Sequence, residues 1–332
     1  MAGDAGHFLR AQRMTDLPAI AADDERLAVF ATVRDLFRYA VSRFNAADLA
    51  YGHGATNAVD EAAFIVLEGL KLPIDALDPF LDAHLARAER ARLLALIDAR
   101  VATRKPAAYL LHRAYIQGVP FYIDERAIVP RSFIGELLFH GLVGAGALID
   151  DASAVERALD LCTGGGSLAI LAARVFANAQ IDAVDVSADA LAVARRNVEE
   201  HDLAARVTLH EGDLFAPLGA TRYDLILANP PYVDALSLAA FPPEFSAEPR
   251  LAHAGGRDGL DIVRRILAEA GAHLTQEGLL VCEVGRARAR LEAAYPDLPF
   301  LWLDTEESEV EGEVYALRAR DLAPRGRRVR RG

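Results

Sequence analysis

Hydrophobic positions in the first third of the chain recur at helical spacing. Apolar side chains return every third or fourth residue, which places them on one face of an α-helix. Thr56 and Asn57 can cap such a helix, and Pro73 ends it. The stretches with this spacing are Leu27–Phe44, Val59–Leu70 and Leu81–Val101. They predict a helical domain over residues 25–107, after a loose N-terminus at residues 1–24. Such a domain is either a substrate-recognition domain or a structural appendage.

From Ala108 the pattern changes to alternating apolar and aromatic positions. The segment reads YLLHRAYIQGVPFYID, and Gly118 and Pro120 interrupt it. Alternation broken by turn residues is typical of a β-hairpin. We therefore predict a hairpin linker over residues 108–135, leading into a second domain.

Short apolar runs alternate with helical stretches through the rest of the chain. The predicted strands are Ala158–Leu161, Ile181–Val184, Val207–Leu209, Tyr223–Ala228, Leu279–Val284, Phe300–Leu303 and Glu313–Leu317. This alternation predicts an α/β fold, a seven-stranded doubly wound Rossmann-like sheet over residues 136–320. An acidic loop without a crossover helix joins the last two strands, which should therefore pair antiparallel.

Composition and charge narrow the class of protein. A chain of 332 residues with 52% hydrophobic residues can bury the cores of two domains. The net charge of −12 argues against a protein that coats nucleic acid and suits a basic partner. Only Cys162 and Cys282 occur, and no window reaches the roughly 18 apolar residues of a membrane span, so we expect a cytosolic protein without disulfides.

The arginine-rich end of the chain, residues 321–332, stands apart in composition. A charge block of this kind is usually a solvated tail. The alternative is that this tail contacts RNA or an assembling ribosome.

A glycine-rich turn and three carboxylates predict a nucleotide pocket. The turn containing Gly164 and Gly166 follows the first strand, where glycines and a helix N-terminus let a ligand approach the backbone. Asp160 can attract a cationic amino-acid group, and Asp185, which ends the second strand, can accept ribose hydroxyls. Asp213 can read an adenine amino group while the next residue, Leu214, covers the ring. A nucleoside with a positively charged tail fits all three carboxylates, and S-adenosylmethionine is that molecule.

The tetrapeptide Asn229-Pro230-Pro231-Tyr232 after the fourth strand predicts the reacting site. A planar nitrogen is a poor nucleophile because its lone pair is delocalised. The Asn229 side-chain oxygen and the Pro230 carbonyl can accept its two N–H hydrogens and localise that lone pair toward the methyl group. Proline fixes this backbone, and Tyr232 offers a flat face for a planar amide or base.

With these motifs the catalytic half resembles the S-adenosylmethionine-dependent methyltransferases that act on amide or exocyclic nitrogen. More narrowly, it is similar to the protein-glutamine N(5)-methyltransferases, which modify release factors or a ribosomal protein. The ribosomal branch, acting on large-subunit protein L-three, is suggested by VPFYIDERAIVPRSFIGELL ending at Leu138, by GHGATNAVDEA and LLVCEVG, and by EPRLAHAGGRDGLDIVRRIL at Glu248–Leu267.

The resemblance implies roles for particular residues. Asp160, Gly164, Gly166, Asp185 and Asp213 would lie at the cofactor, and Asn229 through Tyr232 at the glutamine side chain. Arg131, in the linker motif of the ribosomal branch, is a further candidate for binding the substrate. The chain departs from the family at Gly165, usually Ser, and at Phe133, usually Pro.

Other functions remain open at this stage. A release-factor methyltransferase shares the motifs, and a nucleic-acid adenine or guanine amino-methyltransferase would use the same tetrapeptide, although it needs a basic, base-flipping surface. The intact tetrapeptide argues against a non-catalytic binding or assembly module, and Asp160 against a nicotinamide oxidoreductase. The histidines and cysteines lack the spacing of a metal site.

Overall fold

The computed structural model describes residues 17–306 and 312–322. Residues 1–16 of the predicted loose N-terminus and residues 323–332 of the arginine-rich tail lie outside this range. The chain forms two compact units. The helical unit contains the described residues up to Ala114 together with residues 123–125 and 241–247. The sheet unit contains the other described residues.

The helical unit contains five α-helices among its described residues. They are α1 Arg26–Val29, α2 Val33–Ala46, α3 Ala58–Leu70, α4 Arg87–Thr103 and α5 Ala107–Leu111. The first predicted helix is divided, because the Thr32 hydroxyl accepts the Asp35 N–H while Asp35 accepts the Thr32 N–H, a reciprocal cap that starts a new helix. Asn57 caps α3 as predicted. The third helix begins later than predicted, at Arg87, where Glu89 accepts the Ala86 N–H.

A segment distant in sequence completes the helical unit. Glu244 is 1% exposed; it accepts the Ala50 N–H at 3.0 Å and pairs with Arg104 at 2.6 Å. The Phe245 ring lies 4.2 Å from the His53 ring, measured between centroids. The loop that follows the tetrapeptide therefore supplies a buried part of this unit.

The hairpin forms, but it begins later than the alternating pattern predicted. Its strands are β1 Ala114–Ile116 and β2 Val119–Phe121. Gln117 and Gly118 between them have φ values of 49° and 71°, the paired positive values of a tight hairpin turn. The prediction of extended structure from Ala108 is wrong, because Ala107–Leu111 forms α5 and packs its small and aromatic residues inside the helical unit.

The sheet unit has the predicted architecture. Its strands are β3 Arg157–Leu161, β4 Gln180–Asp185, β5 Val207–Glu211, β6 Tyr223–Ala228, β7 Leu274–Glu283, β8 Leu301–Leu303 and β9 Val314–Arg318. Within the described ranges they form a seven-stranded sheet in the order β5-β4-β3-β6-β7-β9-β8. Strands β3 to β7 are parallel, and β9 runs antiparallel to β7 and β8, which confirms the prediction for the last two strands.

Helices cover both faces of this sheet. They are α6 Ile134–His140, α7 Ser167–Val175, α8 Ala188–Glu200, α10 Asp261–His273, α11 Arg288–Ala294 and α12 Ala319–Leu322. The short helix α9 Ala235–Ala239 lies in the loop after β6 and buries none of its residues. Along β3, Ala158 packs in one buried cluster and Leu159 in another. Burial on both faces explains why the central strands are mostly apolar. No helix of the described ranges is long and apolar enough to span a bilayer.

The strand order places a crevice between β3 and β6. The chain winds outward from β3 through β4 to β5, then returns to the other side of β3 with β6. Ligands of open α/β sheets bind at such a switch point, beyond the carboxyl ends of the strands. Asp160 lies on β3 and Asn229 directly follows β6, so the sequence-predicted residues converge there.

Candidate active site

Asp160 is the most buried carboxylate of the predicted cofactor pocket, at 1% exposed. Its Oδ2 atom accepts the Thr163 hydroxyl at 2.5 Å and the Ala169 N–H at 3.0 Å. Its Oδ1 atom is buried and has no hydrogen-bond partner in the described part of the chain. Burial raises the pKa of this carboxyl group to about 7. An unpaired buried oxygen is costly, and Oδ1 could accept a hydrogen bond from a positively charged ligand group.

The turn after β3 has a backbone conformation that favours glycine. Gly164 and Gly166 have φ values of 54° and 82°, which glycine adopts without strain. A Cβ atom at Gly166 would lie 3.1 Å from the Ala194 Cβ, so glycine lets α7 pack closely on α8. The Asn197 side-chain amide donates a hydrogen bond to the Gly165 carbonyl at 2.8 Å, which connects the turn to α8.

Asp185 ends β4 and braces the same turn. Its Oδ2 atom accepts the Gly164 N–H at 2.8 Å, and its Oδ1 atom accepts the Ser187 N–H at 2.8 Å. Burial raises the pKa of this carboxyl group. Each oxygen keeps a second lone pair, so the carboxylate can still accept two ligand hydroxyls. The next side chain, Val186, is apolar and 54% exposed, and sequence reasoning did not single it out.

The third predicted carboxylate, Asp213, lies in an exposed ion pair. Arg265 of α10 donates to its Oδ2 atom at 2.9 Å, and both side chains are about half exposed. Exposed pairs of this kind contribute only about 0–1 kcal/mol, so a ligand can replace the arginine at small cost. Leu214 has a φ of 51° and is buried within the core of the sheet unit.

The tetrapeptide begins at the carboxyl end of β6. The register pairs Ala228 with Leu161 of β3 on one side and with Cys282 of β7 on the other. Asn229 therefore starts beside the glycine turn. Its side chain is half-buried and makes no hydrogen bond to any residue of the described ranges, which leaves the carboxamide available to a ligand.

Three glycines enclose Tyr232. A Cβ atom at Gly285 would lie 2.6 Å from the ring, and one at Gly255 would lie 2.7 Å from the tyrosine Cα. A Cβ atom at Gly259 would lie 2.3 Å from the tyrosine carbonyl oxygen. Real Cβ atoms do not approach this closely, so any side chain at these positions would displace the end of the tetrapeptide.

Glu283, at the end of β7, connects Tyr232 to the linker. It is 1% exposed, and its Oε1 atom accepts the Tyr232 hydroxyl at 2.9 Å. Its Oε2 atom accepts the Ser132 hydroxyl at 2.7 Å and the Phe133 N–H at 3.1 Å. Burial raises the pKa of this carboxyl group to about 7 and also raises that of the Tyr232 phenol.

Arg131, predicted to bind the substrate, pairs with a second buried carboxylate. Its two η nitrogens lie 2.6 and 2.9 Å from the Glu248 oxygens, and Glu248 also accepts the Val129 N–H at 3.0 Å. The His253 ring lies 2.9 Å from the same carboxylate. This arrangement ties the linker to the loop that follows the tetrapeptide.

Sequence reasoning missed Glu283 and Glu248. For Glu283 a signal existed, because LLVCEVG places an acidic residue inside an otherwise apolar strand. A charge in such a run needs partners, although the run does not say which. Glu248 lies in a polar loop and offers no local signal. No group of histidine, cysteine, aspartate or glutamate side chains suited to a metal ion occurs within the described ranges.

Comparison with known proteins shows the family of this chain. Residues 143–241 match the family model described as the methyltransferase small domain. A ribosomal protein uL3 glutamine methyltransferase of Bradyrhizobium diazoefficiens is 60% identical over 294 residues, which cover 88% of this chain and 92% of that protein. Proteins of the same name from Bordetella pertussis and Burkholderia pseudomallei are 57% and 53% identical, over 83% and 88% of this chain and 92% and 96% of theirs. The chain belongs to the ribosomal protein uL3 glutamine methyltransferase family.

Proposed function

We propose that this protein transfers a methyl group from S-adenosylmethionine to the side-chain amide nitrogen of a glutamine in ribosomal protein uL3. The observation that carries the proposal is the position of Asn229 and Pro230. Their two oxygen acceptors follow β6, next to the strand that carries Asp160. The amide acceptors and the pocket for a cationic nucleoside therefore open on one crevice.

The residues of the pocket fit the proposed cofactor. The unpaired Asp160 oxygen suits the ammonium group of the methionine part, and Asp185 retains acceptor capacity for the ribose hydroxyls. Asp213 would accept from the adenine amino group in place of Arg265. Val186 offers an exposed apolar surface to the ring, and Leu214 closes the core behind it. When bound, the cofactor supplies a methyl carbon on a sulfonium, whose sulfur leaves with the bonding electrons.

The tetrapeptide prepares the nitrogen for this transfer. The Asn229 side-chain oxygen and the Pro230 carbonyl each accept one N–H of the glutamine carboxamide, which fixes its plane and directs the nitrogen lone pair to the methyl carbon. The new N–C bond forms from that lone pair, and one N–H proton leaves to water. Fixed acceptors of this kind act through positioning and electrostatics, the two largest contributions available without an acid–base pair.

The substrate class follows from charge and from the relatives. A net charge of −12 favours a basic ribosomal protein and disfavours DNA or RNA. The relatives named above are uL3 enzymes, which favours the ribosomal protein over a release factor. Such a substrate is made in the cytoplasm, where we expect the enzyme to act.

Parallel transfer assays test the proposal. The protein, with S-adenosylmethionine carrying a labelled methyl group, is offered purified uL3, release factors and adenine-containing DNA. We expect label in uL3 alone, on a glutamine side chain located by mass spectrometry. Label in DNA, or faster labelling of a release factor than of uL3, would contradict the substrate assignment.

Cofactor affinity should depend on pH through Asp160. Its pKa is raised to about 7, and a bound ammonium favours the ionised form. Binding therefore releases a proton at low pH. The association constant should fall by up to tenfold per unit as the pH drops below about 7. Calorimetry between about pH 5 and 7, below the α-amino pKa of about 7.7–8.0, measures this slope.

The control for this titration is Asp160→Asn, which keeps the shape of the side chain and removes its titratable proton. It should bind more weakly, without the slope near pH 7. If the variant kept the wild-type slope, another group would be responsible.

Asp185→Ala should weaken cofactor binding before it affects the chemistry. The change removes the acceptors proposed for the ribose and also the brace on the Gly164 N–H. Loss of a hydrogen bond to a charged group costs about 1.5–3 kcal/mol, or roughly 10- to 100-fold in the dissociation constant. Calorimetric titration at pH about 7.5 measures it. An unchanged affinity would reject the ribose role.

A further inference from the structure

We propose that Glu283 is a positioning residue whose ionised carboxylate holds the Tyr232 hydroxyl and so fixes the tetrapeptide against the linker at Ser132 and Phe133. The inference rests on the proposed function, because it concerns the same acceptor site. Glu283 itself need not touch the glutamine or the cofactor.

The contacts require an acceptor at this position. The Phe133 N–H can only donate, and with the Ser132 hydroxyl it approaches one Glu283 oxygen. The Tyr232 hydroxyl approaches the other oxygen. The donors come from two segments about a hundred residues apart in sequence. A single buried carboxylate thus joins the linker, the end of β7 and the tetrapeptide.

The backbone next to Tyr232 is also held by hydrogen bonds. The following residue, Val233, donates its N–H to the His253 carbonyl at 2.9 Å, and its own carbonyl accepts the Gly255 N–H at 2.9 Å. The ring rests on Gly285, where a Cβ would lie 2.6 Å away. Backbone bonds and the ring contact thus hold part of Tyr232, and Glu283 holds its hydroxyl, so the position of the residue depends on both. A shift of about 1 Å in such a site can cost 100-fold in rate.

The groups around Glu283 determine the pKa of its carboxyl group. Burial raises its pKa to about 7; the Ser132 and Tyr232 hydroxyls and the Phe133 N–H oppose this, and the charge of Glu313 adds to it. Arg131 lies near enough to act on the Tyr232 phenol. Protonation of Glu283 removes an acceptor, so the positioning is complete above about pH 7 and is lost as the pH falls through that value.

Steady-state kinetics of Glu283→Gln test the proposal, with both substrates saturating so that Asp160 stays ionised. We expect kcat to fall about 10- to 100-fold, the range for one hydrogen bond to a charged group. The dissociation constant of the cofactor should stay within about twofold, within the scatter expected for an untouched site. The decline of wild-type kcat below about pH 7 should disappear in the variant.

Two further variants separate positioning from a general structural effect. Tyr232→Phe removes the hydroxyl alone, and the double variant should be no slower than the slower single one, because both remove one interaction. Phe133→Pro removes one donor to Glu283 at a backbone φ of −64°, which proline adopts. Its kcat profile should decline at higher pH than that of the wild type, because the ionised form has lost a hydrogen bond.

The matched control is Asp182→Asn. Asp182 accepts the Tyr223 hydroxyl at 2.9 Å, the same kind of contact, but Tyr223 starts β6, at the end away from the tetrapeptide. This variant should keep wild-type kcat and its pH profile. Additive losses in the double variant, or an unchanged pH profile in Glu283→Gln, would overturn the positioning role.

A different experimental result would show that the proposed function itself is wrong. If the wild-type protein did not methylate uL3, the substrate assignment would fail first. The role of Glu283 would then be decided by the crystal structure of Glu283→Gln. A Tyr232 hydroxyl that has turned away from residue 283 supports the inference, and an unmoved hydroxyl contradicts it.

Discussion

Asn229→Ala should abolish most methyl transfer while leaving cofactor binding intact. The substitution removes one of the two oxygen acceptors proposed for the glutamine N–H groups. Loss of one preorganised hydrogen-bonding group at a reacting centre lowers kcat by about 100- to 1,000-fold. Asp160 and Asp185, proposed to contact the cofactor, lie on other strands. Single-turnover transfer to uL3 measures the rate, and calorimetry measures the cofactor dissociation constant.

Asn229→Asp is the matched control for this prediction. It keeps an acceptor oxygen of the same reach, so it should retain more activity than the alanine variant. The two variants are compared at pH about 7.5, where an aspartate side chain is normally ionised. Equal losses in both, or turnover of the alanine variant near the wild-type rate, would remove Asn229 from the mechanism.

Gly259→Ala should displace the tetrapeptide and stop transfer. Gly259 has a φ of +81°, and an added Cβ would lie 2.3 Å from the Tyr232 carbonyl oxygen, a backbone atom that cannot rotate away. The left-handed backbone costs about 1–2 kcal/mol for alanine. The clash adds about 1–3 kcal/mol. We expect an unfolding free energy lowered by roughly the sum and kcat lowered at least about 100-fold.

The variant Gly118→Ala separates the effect of backbone strain from the effect of the clash with Tyr232. Gly118 has a φ of +71° in the hairpin turn, and an added Cβ would meet no heavy atom within 4 Å. This variant should lose about 1–2 kcal/mol of stability, for the backbone alone, and keep its kcat. Chemical denaturation and initial rates measure both quantities. If Gly118→Ala lost as much activity as Gly259→Ala, the contact with Tyr232 would not be the cause.

The sheet could be predicted from sequence because its central strands are buried on both faces. The prediction of a strand at Tyr223–Ala228 rests on the apolar run Leu225–Ala228, and the structure places β6 at the same residues. The predicted strand Ile181–Val184 likewise lies within β4 Gln180–Asp185. Elements of this kind are specified locally, by period and by caps, so a single sequence reveals them.

Local patterns failed where a cap or a distant partner decided the outcome. Thr32 divides the first helix through a reciprocal cap, and the apolar spacing that spans this break does not reveal it. The run after Pro106 is too short for period alone to distinguish a strand from a helix. Residues 241–247 join the helical unit through Glu244, whose partners lie more than 130 positions earlier in the chain.

The residues of the site also form two groups: those that local motifs predicted and those that only the structure revealed. The glycines, the three aspartates and the tetrapeptide are contiguous motifs, and the strand register brings those of β3 and β6 to one edge. Glu248 and Glu283 act through partners at sequence separations of 117 and 151. Nothing in one sequence states such pairings, because they depend on how the chain folds back on itself. The supports of the site therefore emerged only from the structure.

The central claim is that two oxygens of one rigid turn hold the carboxamide that receives the methyl group. A crystal structure with S-adenosylhomocysteine and a glutamine-containing uL3 peptide tests it directly. We expect the glutamine side-chain nitrogen at about 2.7–3.2 Å from both the Asn229 side-chain oxygen and the Pro230 carbonyl oxygen, the normal hydrogen-bond range. We also expect the adenosyl group beside Asp185. A glutamine nitrogen bound away from these two oxygens, or an adenosyl group outside the crevice between β3 and β6, would contradict the account.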